Sequence, residues 1–189
     1  MIGIGIDYGQ QNATTFQPFG LNLEKKRLEG LKEYYHSGRD SGKQRSPSEY
    51  AKHFIELTDT LREKYKCSCF YAYIDPSAGG LAEEIRRRAA KCEYDIVVKL
   101  ADNDVQIGIQ RVQKCFSYGI LTVSPMQEKL DWELGLYEYD KKSIEKGKEV
   151  PVKENDHGCD AMRYVVMGMW KKIKYFLPRA DREEEGDAA

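Results

Sequence analysis

Three aspartates stand beside apolar runs, where a carboxylate is costly unless something pairs with it. Asp7 follows Ile2-Gly3-Ile4-Gly5-Ile6, and this alternation predicts a buried strand whose glycine face lies close against another backbone. Asp75 closes a second apolar run, Phe70-Tyr71-Ala72-Tyr73-Ile74, and Asp160 opens a helical stripe of Met162, Val165, Val166, Met169 and Ile173. Carboxylates gathered without a glycine-rich phosphate cradle suit hard divalent cations such as Mg²⁺ or Mn²⁺, which take oxygen ligands. Two such ions about 4 Å apart activate a water and stabilise the leaving oxygen of a phosphodiester. In that reading Asp7, Asp75 and Asp160 are the metal ligands, with Asp7 bridging two ions from the central strand. His157, three residues before Asp160 and on a neighbouring helix face, orients water, joins the metal shell or moves a proton.

Plainer readings stand beside these. Asp7 starts a turn with Gly9, Asp75 opens a helix before Pro76, Asp156 answers a helix dipole, and His157 is structural.

The elements that must position these groups follow in order. Asn12 to Phe19 pairs back on the first strand, and a third strand runs over Leu31 to His36. Ser37 to Arg45 is a mobile loop rich in Gly, Ser and Lys. Ser46-Pro47-Ser48-Glu49 announces a helix by a capping box with Pro at its first position, and Tyr50, Phe54, Leu57 and Leu61 give it one apolar face. After the Asp75 strand come a helix from Leu81 to Cys92, a strand over Asp95 to Leu100, and a helix whose stripe is Val105, Ile109, Val112 and Phe116. A strand at Ile120 to Val123 and a helix from Pro125 to Leu134 follow. Tyr137 to Asp140 and Glu149 to Lys153 flank a basic turn, Lys141 to Lys148, as a hairpin. A strand reached through a helical crossover lies parallel in its sheet, and ligands of such sheets gather at the carboxyl ends, so Asp7 and Asp75 should meet at one edge.

A length of 189 residues predicts one domain over 1–177, followed by an acidic, disordered tail over 178–189. Charged residues make up 32% and apolar ones 41%, the balance of a soluble protein, and the net charge of −1 leaves a polyanion to be held by local basic patches or metal. Five scattered cysteines read as buried free thiols of a reducing compartment. No apolar run approaches a membrane span and no leader opens the chain, so the expectation is an intracellular protein with no membrane partner. A start directly on a core strand implies natural sequence upstream.

The element order and the motifs together resemble the ribonuclease H-like nucleases, and more narrowly the nuclease domain of the large terminase subunit of tailed bacteriophages. The resemblance rests on Gly5-Ile6-Asp7-Tyr8-Gly9, Tyr73-Ile74-Asp75-Pro76-Ser77, Asn103-Asp104-Val105 with Gly108-Ile109 and Arg111-Val112, Glu133 with Tyr137, and Asp156 to Tyr164. The last of these is the most specific, and coverage runs from Met1 to Lys174. It implies an α/β fold with a mixed sheet of five to eight strands and helices on both faces. It also implies metal-dependent endonuclease action on double-stranded DNA during viral genome packaging in the host cytoplasm, by a protein not kept in the mature virion. Carried over by position, Asp7, Asp75 and Asp160 become the metal triad and His157 the accessory catalytic residue. The family's partners would be an ATPase motor domain, the portal and the small terminase subunit. No G-x-x-x-x-G-K-[ST] loop occurs in this chain, so the motor is not expected within it.

Arg86-Arg87-Arg88, Lys141-Lys142 and Lys171-Lys172 are the visible basic clusters, and the Lys141 to Lys148 turn is the expected gate or contact for a duplex. Competing readings are a junction-cutting resolvase, a nucleotide-binding module of the actin and sugar-kinase type, and a non-catalytic DNA-binding or assembly module of the same fold.

Overall fold

The computed structural model describes residues 1–9, 12–145, 147 and 149–184, with side chains up to residue 182. Strand β1 (Ile2–Tyr8) turns back into β2 (Ala13–Asn22), which carries both β3 (Arg27–Gly30) and β4 (Tyr34–Ser37) as antiparallel partners. In place of the single third strand expected over Leu31 to His36, β3 ends before that stretch and β4 begins within it at Tyr34, and both pair with β2. The stretch expected to be a loop holds a short helix, α1 (Gly38–Ser41), capped by the Ser37 side chain and ended by Gly42 at φ 64°. Helix α2 (Pro47–Tyr65) starts at the capping box, where Ser46 and Glu49 each satisfy the other's backbone N–H.

The crossover returns as β5 (Cys69–Ile74), parallel to β1, and after a 3₁₀ turn and α3 (Gly79–Ala89) comes β6 (Asp95–Leu100), parallel to β5. Helix α4 (Val105–Ser117), strand β7 (Leu121–Thr122) and helix α5 (Glu128–Leu136) follow. The chain then forms a hairpin in which Tyr139 bridges Pro151, with a short helix α6 (Lys141–Ile144) towards its tip. Helix α7 (His157–Ile173) and α8 (Arg179–Glu184) complete the described chain. Residues 179–184 of the stretch expected to be a disordered tail are thus helical. Lys146 and Lys148 of the basic turn, and the tail from 185, lie outside the described residues.

The strands form one mixed sheet in the order β6-β5-β1-β2-β3-β7, with β4 beside β2. Alternation along β1 divides the core. Ile2, Ile4 and Ile6 face α2 and α3, joining Tyr50, Phe54, Leu61, Leu81 and Ile85. On the other face α7 packs with α4 and α5 around Val165, Val166, Met169, Val112 and Leu130. Helices on both faces of a mixed sheet are the architecture the sequence led us to expect. All five cysteines are free, two of them buried. Among the described residues no helix is long and apolar enough to cross a membrane.

Candidate active site

The glycines of β1 explain how the acids meet. Gly3 and Gly5 share a face with Asp7, and α7 lies against that face so closely that side chains would not fit: a Cβ on Gly3 would strike Met169 and Val165, and one on Gly5 would strike the backbone of Ala161. Two strand residues advance about 6.6 Å and one helical turn about 5.4 Å, so the contacts keep step as β1 runs against α7. Gly3 meets residues 165 and 169, Gly5 meets 161, and the next rung places Asp7 at residue 157. There His157 Nδ1 lies 2.7 Å from Asp7 Oδ2.

A second ladder runs beside the first. Gly168 of α7 accommodates the Tyr73 ring of β5, and one rung on, the Tyr164 hydroxyl donates to Asp75 Oδ2 at 2.8 Å. Because β5 is parallel to β1 with Ile6 opposite Ile74, Asp7 and Asp75 are the next residues of neighbouring strands. Both helix-start and site readings of Asp75 have a physical basis, since its Oδ1 accepts the Ser77 N–H at 2.6 Å while Oδ2 takes Tyr164.

Asp160, in the first turn of α7, completes the group. Its Oδ1 accepts from Arg163 at 2.8 Å and its Oδ2 from Lys153 at 3.2 Å. Lys153, which ends the hairpin, also lies 3.2 Å from Asp156 Oδ2. Asp156 is buried and stands at the N-cap of α7, yet its side chain makes no cap.

The electrostatics follow from this crowding. Burial pushes the Asp7 carboxyl above its ordinary range, opposed by His157 and reinforced by Asp160 and Asp156. The hydrogen bond to Asp7 holds the His157 imidazole above its ordinary range against the opposing effect of burial. Burial acts to raise Asp75, but the hydrogen bonds from Ser77 and Tyr164 and the Arg163 charge outweigh it and leave this carboxyl below its usual range. The Tyr164 phenol is pushed up by burial and then by Asp160, Asp75 and Asp7. Of the three aspartates, Asp75 contacts the Tyr164 hydroxyl directly, while the charges of Asp160 and Asp7 act on it from a distance. Burial works against the Lys153 charge, but Asp160 and Asp156 keep the ammonium protonated.

Each carboxyl is occupied by a protein partner, Asp7 by His157, Asp75 by Tyr164, and Asp160 by Arg163 and Lys153. Among the described residues no three acids, histidines or cysteines already form a metal cluster. The donor set still has the chemistry a hard cation needs: oxygen ligands at one sheet edge, part of them desolvated, and one already holding an ammonium that a cation can replace.

Beside His157 opens a polar recess of about 460 Å³ lined by Asn12, Arg39, Lys153, Glu154 and Asn155. Arg39, on α1, is held by the Asn12 side chain at 3.3 Å. The basic clusters noted in the sequence lie elsewhere. Arg86 and Arg87 pair with Glu83 and Glu84 on the last turns of α3, across the sheet from α7. Lys171 and Lys172 end α7, at the opposite pole from His157. Lys141 and Lys142 sit on α6 towards the hairpin tip.

Lys153, Tyr164, Arg163 and Arg39 were not singled out from the sequence. Arg163 and Tyr164 carried a signal there, as the last two residues of the Asp156 to Tyr164 motif.

No family model matches the chain, and no curated protein does. Solved structures do. The large terminase of a thermophilic bacteriophage matches with 32% identity and a TM-score of 0.76 over 88% of this chain. The chain spans only 39% of that protein's length. The nuclease domain of the P22 large terminase matches at 14% identity and TM-score 0.64, covering 89% of this chain and 81% of its own. The nuclease domain of the large terminase g2p from bacteriophage SPP1, solved with bound manganese, matches at 20% identity and TM-score 0.56, covering 87% and 84%. The sheet order, the helices on both faces and these matches agree: the chain is similar to the bacteriophage large terminases and has the ribonuclease H-like fold of their nuclease domains.

Proposed function

We propose that this chain is a divalent-metal-dependent endonuclease that cuts double-stranded DNA during viral genome packaging. The observation that carries the reading is the pair Asp7 and Asp75 on adjacent parallel strands, each hydrogen-bonded to the helix that bears Asp160, through His157 and Tyr164 respectively. The manganese in the SPP1 relative supports the same chemistry.

Asp7, Asp75 and Asp160 would hold the metal, two ions in the full reading, with Asp7 between its neighbours. When bound, a hard divalent cation supplies a nucleophilic water and neutralises charge developing on the phosphate. The chain's own groups do the rest. His157, whose imidazole Asp7 holds at 2.7 Å and shifts towards the protonated form, can hold or pass a proton beside the attacked phosphate. Lys153, released from Asp160, remains within reach as a second positive charge. Arg39, with Asn12 and Asn155, lines the recess next to His157 and gives a DNA strand donors for its phosphates without reading its bases. In a longer protein the partners would be an ATPase motor domain, the portal and the small terminase subunit.

Plasmid cleavage with Mn²⁺, with Mg²⁺ and with chelator tests this, using wild type, Asp7→Asn and Asp160→Asn. Cleavage is expected only for wild type with metal. Activity surviving chelator or both substitutions overturns the mechanism, and preference for a four-way junction over linear duplex would turn it towards a resolvase.

A further inference from the structure

Glu133 on α5 is 1% exposed, and nothing in the proposed cutting reaction uses it. Its Oε2 accepts the backbone N–H of Gly158 at 2.5 Å, in the first turn of α7. The first amides of a helix have no partner within it, and here Asp156, the residue placed to cap them, turns its side chain to Lys153 instead. Glu133 therefore does from a different helix what an N-cap does within one. The fit is close. A Cβ on Gly158 would lie 2.8 Å from Glu133 Oε2 and 3.3 Å from Leu130, so only glycine lets α5 approach this turn.

The turn so held has His157 immediately before Gly158 and Asp160 two residues after it. Its rotation sets whether His157 reaches Asp7 and whether Asp160 faces the sheet edge. The other carboxyl oxygen of Glu133, Oε1, is buried without a hydrogen-bond partner. An orphaned buried acceptor is a cost that an apolar residue of the same bulk would avoid.

We propose that Glu133 is a positioning residue of the candidate site: its carboxyl, supplied by α5, caps α7 and fixes the His157 to Asp160 turn in the orientation that lets His157 meet Asp7. The catalytic part rests on the nuclease reading, whereas the capping part does not.

Two variants separate the roles. Glu133→Gln keeps an oxygen that can accept from Gly158, and Glu133→Leu keeps the bulk and removes the acceptor. Hydrogen exchange of the Gly158 amide is read alongside steady-state plasmid cleavage with Mn²⁺. Glu133→Leu should speed exchange of this amide at least tenfold relative to amides in the middle of α7, and lower kcat by about 10-fold or more at unchanged KM. Glu133→Gln should restore both readouts to within a few-fold of wild type. Unchanged exchange in Glu133→Leu overturns the proposal, as does a kcat loss equally large in Glu133→Gln with slow exchange retained. If Glu133→Leu does not fold, wild type decides: a Gly158 amide that exchanges as freely as an uncapped first turn rules the cap out. Absence of cleavage by wild type would instead remove the nuclease reading and leave the exchange result standing.

Discussion

His157 Nδ1 and Asp7 Oδ2 are 2.7 Å apart although 150 residues separate them in the chain. The contact is the last rung of the ladder in which Gly3 and Gly5 admit α7 against β1. His157→Ala should therefore lower metal-dependent cleavage by about 10²-fold, the usual worth of a positioned proton-transfer group, while leaving the melting transition cooperative. Single-turnover plasmid cleavage checks it, and a loss under about threefold would return His157 to a structural role.

Gly5 and Gly3 should differ in their tolerance of a methyl group. A Cβ on Gly5 meets the fixed backbone of Ala161, whereas one on Gly3 meets mainly the flexible Met169 side chain. Gly5→Ala should cost roughly 3 kcal/mol of stability and Gly3→Ala about 1 kcal/mol. Urea unfolding at neutral pH measures both, and equal losses would contradict the close approach of α7 at Gly5.

Glu133 should make stability depend on pH. Burial raises its carboxyl from the ordinary 4.5 to about 7, against the backbone N–H groups of Gly158 and Cys159 and the charge of His157, and with the help of Asp156. The folded protein thus holds a proton that the unfolded chain releases between those values. Stability contributed by that proton is present at about pH 4.5 and is lost as pH rises through about 7, by on the order of 3 kcal/mol. In chelator, wild type should lose stability between about pH 5 and about pH 7.5 by more than Glu133→Gln does. Parallel urea curves for the two proteins across this range would show that Glu133 does not titrate there.

Lys153 should compete with metal. Its ammonium lies 3.2 Å from both Asp156 and Asp160, but the side chain is 58% exposed, so the contact is worth no more than about 1 kcal/mol. Lys153→Met should tighten Mn²⁺ binding by up to about fivefold in calorimetry without DNA. Weaker binding in the variant would mean that Lys153 supports the metal site.

Arg39 should contribute to DNA affinity and not to the chemical step. Arg39→Ala should weaken duplex binding in chelator and reduce the slope of log affinity against log salt by about 1. Fluorescence anisotropy over a salt series reads the slope, and an unchanged slope would place the duplex elsewhere.

Local pattern was enough for much of this protein. The alternation Ile2-Gly3-Ile4-Gly5-Ile6 marks a strand buried on one side and approached by backbone on the other, and the capping box at Ser46 to Glu49 and the α7 stripe mark helices by their own periodicity. Residue type also singled out Asp7, Asp75 and Asp160, because an acid at the end of an apolar run is costly wherever the chain folds. Tertiary structure decided what local periods cannot encode. Where the strands after β2 begin and end depends on which of its backbone groups are free, and β2 carries two short partners, Arg27–Gly30 and Tyr34–Ser37, on either side of Leu31 to Glu33. Which group occupies Asp7 and Asp75 is fixed by the passage of α7 across β1 and β5, since that packing alone brings His157 and Tyr164 within hydrogen-bonding distance of acids remote in sequence. Glu133 is the sharpest case: in sequence it stands out with Tyr137 only through a family resemblance that gives it no role, and only burial against the first turn of α7 gives its carboxyl a partner and a raised affinity for the proton.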